Sequence, residues 1–97
     1  MSTVEFNPAA DLELGEAIAY YSRAREGLGE AFLFEVRRAV DRIVAMPNAW
    51  AKVSHRARRC RVRRFPYGVV YRKTDSVIRI VAVMHLMRKP GYWKNRS

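Results

Sequence analysis

Two spacings of apolar residues divide this chain into strands and helices. Thr3–Phe6 alternates Val4 and Phe6 with Thr3 and Glu5, the period of a short half-buried strand. Asn7-Pro8 then provides a helix start, with Asn as N-cap, Pro in the first turn, and Asp11 and Glu13 near the positive end of the helix dipole. Ala10, Leu14, Ala17, Ile18 and Tyr21 recur at helical spacing, so a first helix is expected to about Ala24, broken by Gly27 and Gly29. Phe32, Val36, Ala39, Val40 and Ile43 form the stripe of a second helix that Pro47 ends. Both stripes read as core faces.

After a loop spanning Asn48 to His55, the period becomes two. Cys60 and Val62 alternate with Arg59, Arg61 and Arg63, and a turn through Phe65-Pro66-Tyr67-Gly68 leads to a strand in which Val69 and Tyr71 alternate with Val70 and Arg72. A second turn, Thr74-Asp75-Ser76, opens the last strand. Strict alternation there puts Ile78, Ile80, Ala82 and Met84 on one face, and Arg79, Val81, Val83 and His85 on the other. The element order is β-α-α-β-β-β, an α+β fold with a helical hairpin packed on a small antiparallel sheet. Two helices cover one face of such a sheet. The last strand is apolar on both, so its second face calls for a cover from the C-terminal segment or another protein.

Ninety-seven residues, 49% of them apolar, suit one domain spanning 1–97 with a modest core. The segment from Ile80 to Met87 is far shorter than the roughly 20 residues of a membrane helix. The opening MSTVEFNPAADLE has no basic start or apolar signal core, and Cys60 is the only cysteine. A cytoplasmic location is the expectation. Charge changes the picture more. Residues 1–48 hold five basic and eight acidic side chains, a net of −3, whereas residues 49–97 hold fourteen basic and one acidic, a net of +13. That imbalance fits nucleic acid, an acidic protein, or solubility alone.

One Cys and two His thirty positions apart, without a local carboxylate cluster, give no metal-ligand spacing, so neither metal nor cofactor is expected. No Ser/Cys-His-acid triad or Gly-rich phosphate loop is present, and Asp75 reads as a turn residue. Metal-free RNA cleavage is the catalytic class an acid-poor basic surface can support, with His85, Arg88 and Tyr92 as base, cation and acid if they converge. The arginines at 56, 58, 59, 61, 63 and 64 are too dispersed for catalysis and read as an electrostatic footprint.

The opening VEFNPAADLELGEAIAYY, the middle LGEAFLFEVRRAVDRIVAMP, and above all FPYGVVYR and MHLMRKPGYW resemble the RelE/ParE family of type II toxin–antitoxin toxins. The resemblance covers nearly the whole chain. It implies one of two activities: RelE-like cleavage of mRNA on the ribosome, or ParE-like poisoning of DNA gyrase by binding. Nucleases of the family use arginines where this chain has Gly68 and Leu86. Only the terminal tyrosine is matched, at Tyr92, with Arg88 close by, and Lys52, Arg56 and Arg58 are partial substitutes. These departures favour the ParE-like side and binding over catalysis. A non-toxic basic nucleic-acid-binding domain is the third reading. The surface implied for the target comprises Arg61, Arg63, Arg64, Arg72, His85, Arg88, Tyr92 and Trp93. The resemblance also implies a cognate antitoxin whose helix and extended tail would form a hetero-oligomer with the toxin. Its contacts would be Val70, Arg72, Arg79, Val81 and Val83 on the second sheet face.

Overall fold

The computed structural model describes residues 2–97. Strand β1 (Thr3–Phe6) leads into helices α1 (Pro8–Ala24) and α2 (Leu28–Ala45), followed by β2 (Ala51–Lys52), β3 (Arg58–Arg61), β4 (Tyr67–Thr74) and β5 (Val77–His85). The strands form one sheet in the order β1-β5-β4-β3-β2. The α+β architecture follows the expected order, with three differences. β1 lies parallel to β5, with Val4 opposite Ile78 and Phe6 opposite Ile80, so the sheet is mixed. The helical hairpin carries the chain from β1 at one edge of the sheet to β2 at the other, and β3 and β4 return it to β5 beside β1, a connection long enough for a parallel pair. The expected loop after α2 contains β2, which pairs with β3. The turn into β4 occupies the residues before Tyr67; Tyr67 and Gly68 already belong to the strand, and Arg64 adopts φ 71° in that turn.

The helix boundaries have local causes. The Asn7 side chain accepts a 2.8 Å hydrogen bond from Ala9 N–H, while its Nδ2 donates to the Ser97 carbonyl. Gly27 sits at φ 81° between the helices, a conformation glycine takes without penalty. Gly29 does not break a helix as expected: it is buried inside α2, where a Cβ would lie 2.7 Å from the Ile18 carbonyl oxygen and 1.9 Å from Ser22 Oγ. Its missing side chain lets α1 and α2 approach. The main core lies between this hairpin and the sheet, with Ala10, Phe32, Val36, Ile43, Val69 and Ile78 buried.

β5 departs from strict alternation. Val70 pairs with Ala82 but Tyr71 pairs with Ile80, leaving Val81 as a bulge. Past the bulge the faces exchange. Val83 joins Ile78 and Ile80 in the helix-side core, whereas Val81, Ala82 and Met84 join Val70 on the opposite face. The expected grouping of Ala82 and Met84 with Ile78, and of Val81 with Val83, is therefore corrected. The second face is covered from within the chain: Trp93, 2% exposed, packs on it with Ala57, and Val53 and Tyr92 flank it.

Candidate functional site

The C-terminal segment is fixed to the sheet by polar contacts that converge on Glu13 of α1. β1 stops at Phe6, and beyond it the edge of β5 has lost its backbone partner. Glu13 Oε1 accepts Val83 N–H at 3.1 Å, and Arg96 Nη1 donates to the Val81 carbonyl at 3.1 Å, so two side chains complete that edge. The same carboxylate accepts Tyr92 OH at 2.8 Å and Arg96 Nη1 at 2.9 Å, with Arg88 Nη1 at 3.5 Å. The Arg88 guanidinium lies 3.8 Å from the centroid of the Tyr92 ring and that of Arg96 5.1 Å, both within cation–π reach. Glu13, expected to act on the helix dipole, instead holds the end of the chain.

His85, Arg88 and Tyr92 do gather here. His85 and Arg88 line one shallow cleft of about 230 Å3 with Glu13, Glu16, Tyr20 and Tyr67, and Tyr92 reaches it through Glu13. His85 packs edge-on to Tyr67 at 5.1 Å, and its Nδ1 accepts Met87 N–H. The chemistry of this cleft differs from that of an anion site. Two carboxylates face it, and Glu13 offsets the charge of Arg88 and Arg96. Burial, the hydrogen bond to Glu13 and the Glu13 charge all raise the Tyr92 pKa, so its phenol stays protonated and donates to a carboxylate.

Gly68 and Leu86 sit together beside Arg59. A Cβ on Gly68 would lie 2.7 Å from Arg59 Cδ and 3.5 Å from a Leu86 methyl. The stem of Arg59 thus fills the space that a side chain at position 68 would enter. Arg61, Arg63 and Arg64 are exposed near this end of the sheet. Arg72 and Arg79 pair at the far end of β4 and β5, roughly 13 Å along the strand from Gly68 at about 3.3 Å per residue. The residues expected to form one target surface therefore occupy separate places, and Trp93 is buried in the second core. Of those expected to contact an antitoxin, Val70 and Val81 lie beneath the C-terminal segment and Val83 faces the helices. Arg72 and Arg79 donate to main-chain carbonyls of that segment, at Lys94, Arg96 and Ser97. Glu13 was missed because its partners lie at least 70 positions away. Among the described residues no cluster of His, Cys, Asp or Glu is placed to hold a metal, and no helix is long and apolar enough to cross a membrane.

Buried tyrosines make stability sensitive to alkali. Burial pushes Tyr71, whose hydroxyl donates to the Pro47 carbonyl, up to about 12, and Tyr92 is raised in the same direction. In the unfolded chain both ionise near pH 10. Their contribution to stability is therefore complete below about pH 10 and is lost as pH rises toward about 12, because the unfolded state releases its protons first. A spectroscopic tyrosinate titration should show Tyr71 and Tyr92 ionising last, and Tyr71→Phe should remove part of the alkaline stability loss.

A two-helix hairpin on a mixed sheet, with a basic C-terminal half and a C-terminal strap across the second face, defines a toxin of the type II toxin–antitoxin class once the relatives are considered. The family model described as ParE toxin of type II toxin-antitoxin system, parDE, matches residues 4–90, and the chain belongs to that family. Toxin ParE2 of Mycobacterium tuberculosis, from strains CDC 1551 / Oshkosh and ATCC 25618 / H37Rv, is 37% identical over 80 residues, covering 81% of this chain and 76% of the relative. A solved structure of the chromosomal ParDE TA system from P. aeruginosa superposes with a TM-score of 0.64 at 17% identity, over 89% of this chain and 97% of that one, a likeness of fold.

Proposed function

We propose that this toxin arrests growth by binding DNA gyrase rather than by catalysis, and that a cognate antitoxin neutralises it. The observation that carries this reading is the engagement of Tyr92, the one matched nuclease residue, with Glu13. The Arg59 stem across Gly68 supports it as well. A cleft that pairs its cations with carboxylates offers little uncompensated charge to a phosphorane, for which enzymes supply preorganised donors. It suits recognition of a protein surface.

The antitoxin reading rests on family membership and on exposed apolar residues near the cleft. Leu12 is 64% exposed and Tyr20 60%, and with Glu16 they follow helical spacing along one side of α1. An amphipathic antitoxin helix laid along this side would reach His85 and Arg88. Val70, Val81 and Val83 are left out of this interface because they are already covered.

Expression alone should arrest growth, with rescue by the neighbouring antitoxin gene. Purified protein should inhibit gyrase supercoiling or trap cleaved DNA while ribosomes translate normally. Tyr92→Phe should retain toxicity within about twofold while losing about 1–2 kcal/mol of stability with the hydrogen bond to a charged acceptor. Codon-specific mRNA cuts on ribosomes, abolished by the same substitution, would establish the RelE-like alternative instead. Normal growth despite soluble protein would leave the non-toxic nucleic-acid-binding reading.

A further inference from the structure

A second concavity lies at the far end of the sheet from the His85 cleft. It encloses about 570 Å3, and six cations line it: Lys52, Arg56, Arg58, Arg72, Lys73 and Arg79. They come from β2, the turn after it, β3 and the β4–β5 hairpin. Among the described residues, no Asp or Glu side chain is part of the lining. A basin of this size falls within the range of ordinary ligand sites.

Neutral groups hold several of these cations in position. Arg58 Nη1 donates to the Trp50 carbonyl at 2.8 Å, and Lys73 Nζ to the Asp75 carbonyl at 2.9 Å. Arg72 uses both terminal nitrogens on the carbonyls of Lys94 and Arg96. A carbonyl fixes a cationic side chain without cancelling its charge. Among the described residues Arg79 is the one basin cation that meets a side-chain carboxylate, Glu5 at 3.3 Å in a pair open to solvent, and its Nε donates to the main-chain oxygen of Ser97, part of the lining, at 3.0 Å. Among the described residues Arg72 Nε is buried with no partner, a donor still to be satisfied. Asn48 and Thr74 add neutral polar groups to the lining.

The lining also distinguishes between kinds of anion. Protein interfaces draw most of their affinity from aromatic or apolar anchors. The large exposed apolar side chains, Leu12, Tyr20, Phe34, Val44, Met46 and Met87, all lie outside the basin. Of the two rings among its described lining residues, Tyr71 is 1% exposed and offers no face for base stacking, which leaves the exposed His55 imidazole. Phosphates need only cations and hydrogen-bond donors. We propose that this basin binds the phosphate backbone of nucleic acid, without reading bases, as an activity separate from the His85 cleft.

Fluorescence anisotropy with a labelled DNA duplex of arbitrary sequence and the whole chain tests this. If about four phosphates are neutralised, affinity should fall about 100-fold between about 50 and about 200 mM salt. Lys52 and Arg56 are exposed, and neither side chain has a hydrogen-bond or ion-pair partner among the described residues. The double substitution Lys52→Glu/Arg56→Glu should leave the fold intact by circular dichroism, weaken binding at least about 30-fold at low salt, and lower the salt slope by about 2. Arg23→Glu/Arg37→Glu, equal in charge change but placed on the helices, should weaken binding less than about fivefold. Absence of binding at low salt, or equal losses in the two double variants, would overturn the proposal. So would affinity set by base sequence, and polyglutamate competing better than DNA of equal charge would assign the basin to an acidic protein. The assay contains neither gyrase nor antitoxin, so its failure is distinct from failure of the gyrase reading.

Discussion

Glu13→Leu is expected to lower the unfolding free energy by about 3 kcal/mol, the cost of removing one partner from a mostly buried charge pair. Glu13 is 11% exposed and Arg96 21%, so the guanidinium left behind has limited access to water. The substitution also strands Tyr92 OH and the backbone N–H of Val83. Arg88 adds little because it is 55% exposed and 3.5 Å away. In a domain of this length the expected shift in Tm is about 10–20 °C, measured by thermal denaturation. Glu13→Gln keeps an acceptor but loses the charge, and should fall between wild type and leucine. A double-mutant cycle with Arg96→Leu should give a coupling of at least about 1 kcal/mol. Additive effects would show that Glu13 does not hold the C-terminal segment.

Trp93→Ala should cost about 3–5 kcal/mol, as truncation of a buried large aromatic commonly does. The indole is 2% exposed and covers Val70, Val81, Ala82 and Met84, which have no helix above them. Removing it uncovers an apolar sheet face, so dye binding to exposed hydrophobic surface should rise with the loss of stability. Trp93→Phe should recover much of the loss, since Trp93 Nε1 has no hydrogen-bond partner among the described residues and the ring contributes chiefly by packing. If the C-terminal segment is dispensable, Trp93→Ala will unfold like wild type. The two variants act on the same segment through charge and through packing, so their combined effect should fall short of the sum of the two.

Much of the architecture was legible because its signals are local. Asn7-Pro8 caps α1 through atoms two positions apart, and the stripe from Phe32 to Ile43 depends only on helical period. Asp75 takes φ 52° in the turn assigned to it. The difficulties began where an alternation was interrupted. A bulge is a property of two paired strands, so nothing in the run Ile78–His85 marks Val81 as the residue without a partner. One extra residue reverses the face of every side chain beyond it. That step carried His85 and Val83 to the helix side and removed Val83 from the expected antitoxin surface.

The candidate site was legible in part. His85, Arg88 and Tyr92 were identified by type and position, and they do come together. Their chemical setting was not, since it depends on one carboxylate in the first third of the chain. The basic half was evident as a net charge, but its division into exposed arginines near Gly68 and a basin around Arg72 was not. Residues such as Arg58 and Lys73 become neighbours only when the strands are paired.

The sequence by itself determined the element order, the two helix stripes, the family and the polarity of the charge. The elements and stripes follow from spacing and the charge from composition, quantities that do not depend on what the chain meets after folding, and the family from the resemblance carried by stretches such as FPYGVVYR and MHLMRKPGYW. Only the tertiary structure decided what covers the second sheet face, where Tyr92 sends its proton, and which cations remain uncompensated. Those outcomes depend on contacts between residues distant in the chain, 70 or more positions apart for the partners of Glu13, and on pairing register, where a hydrogen bond or a counter-charge is set by three-dimensional proximity alone.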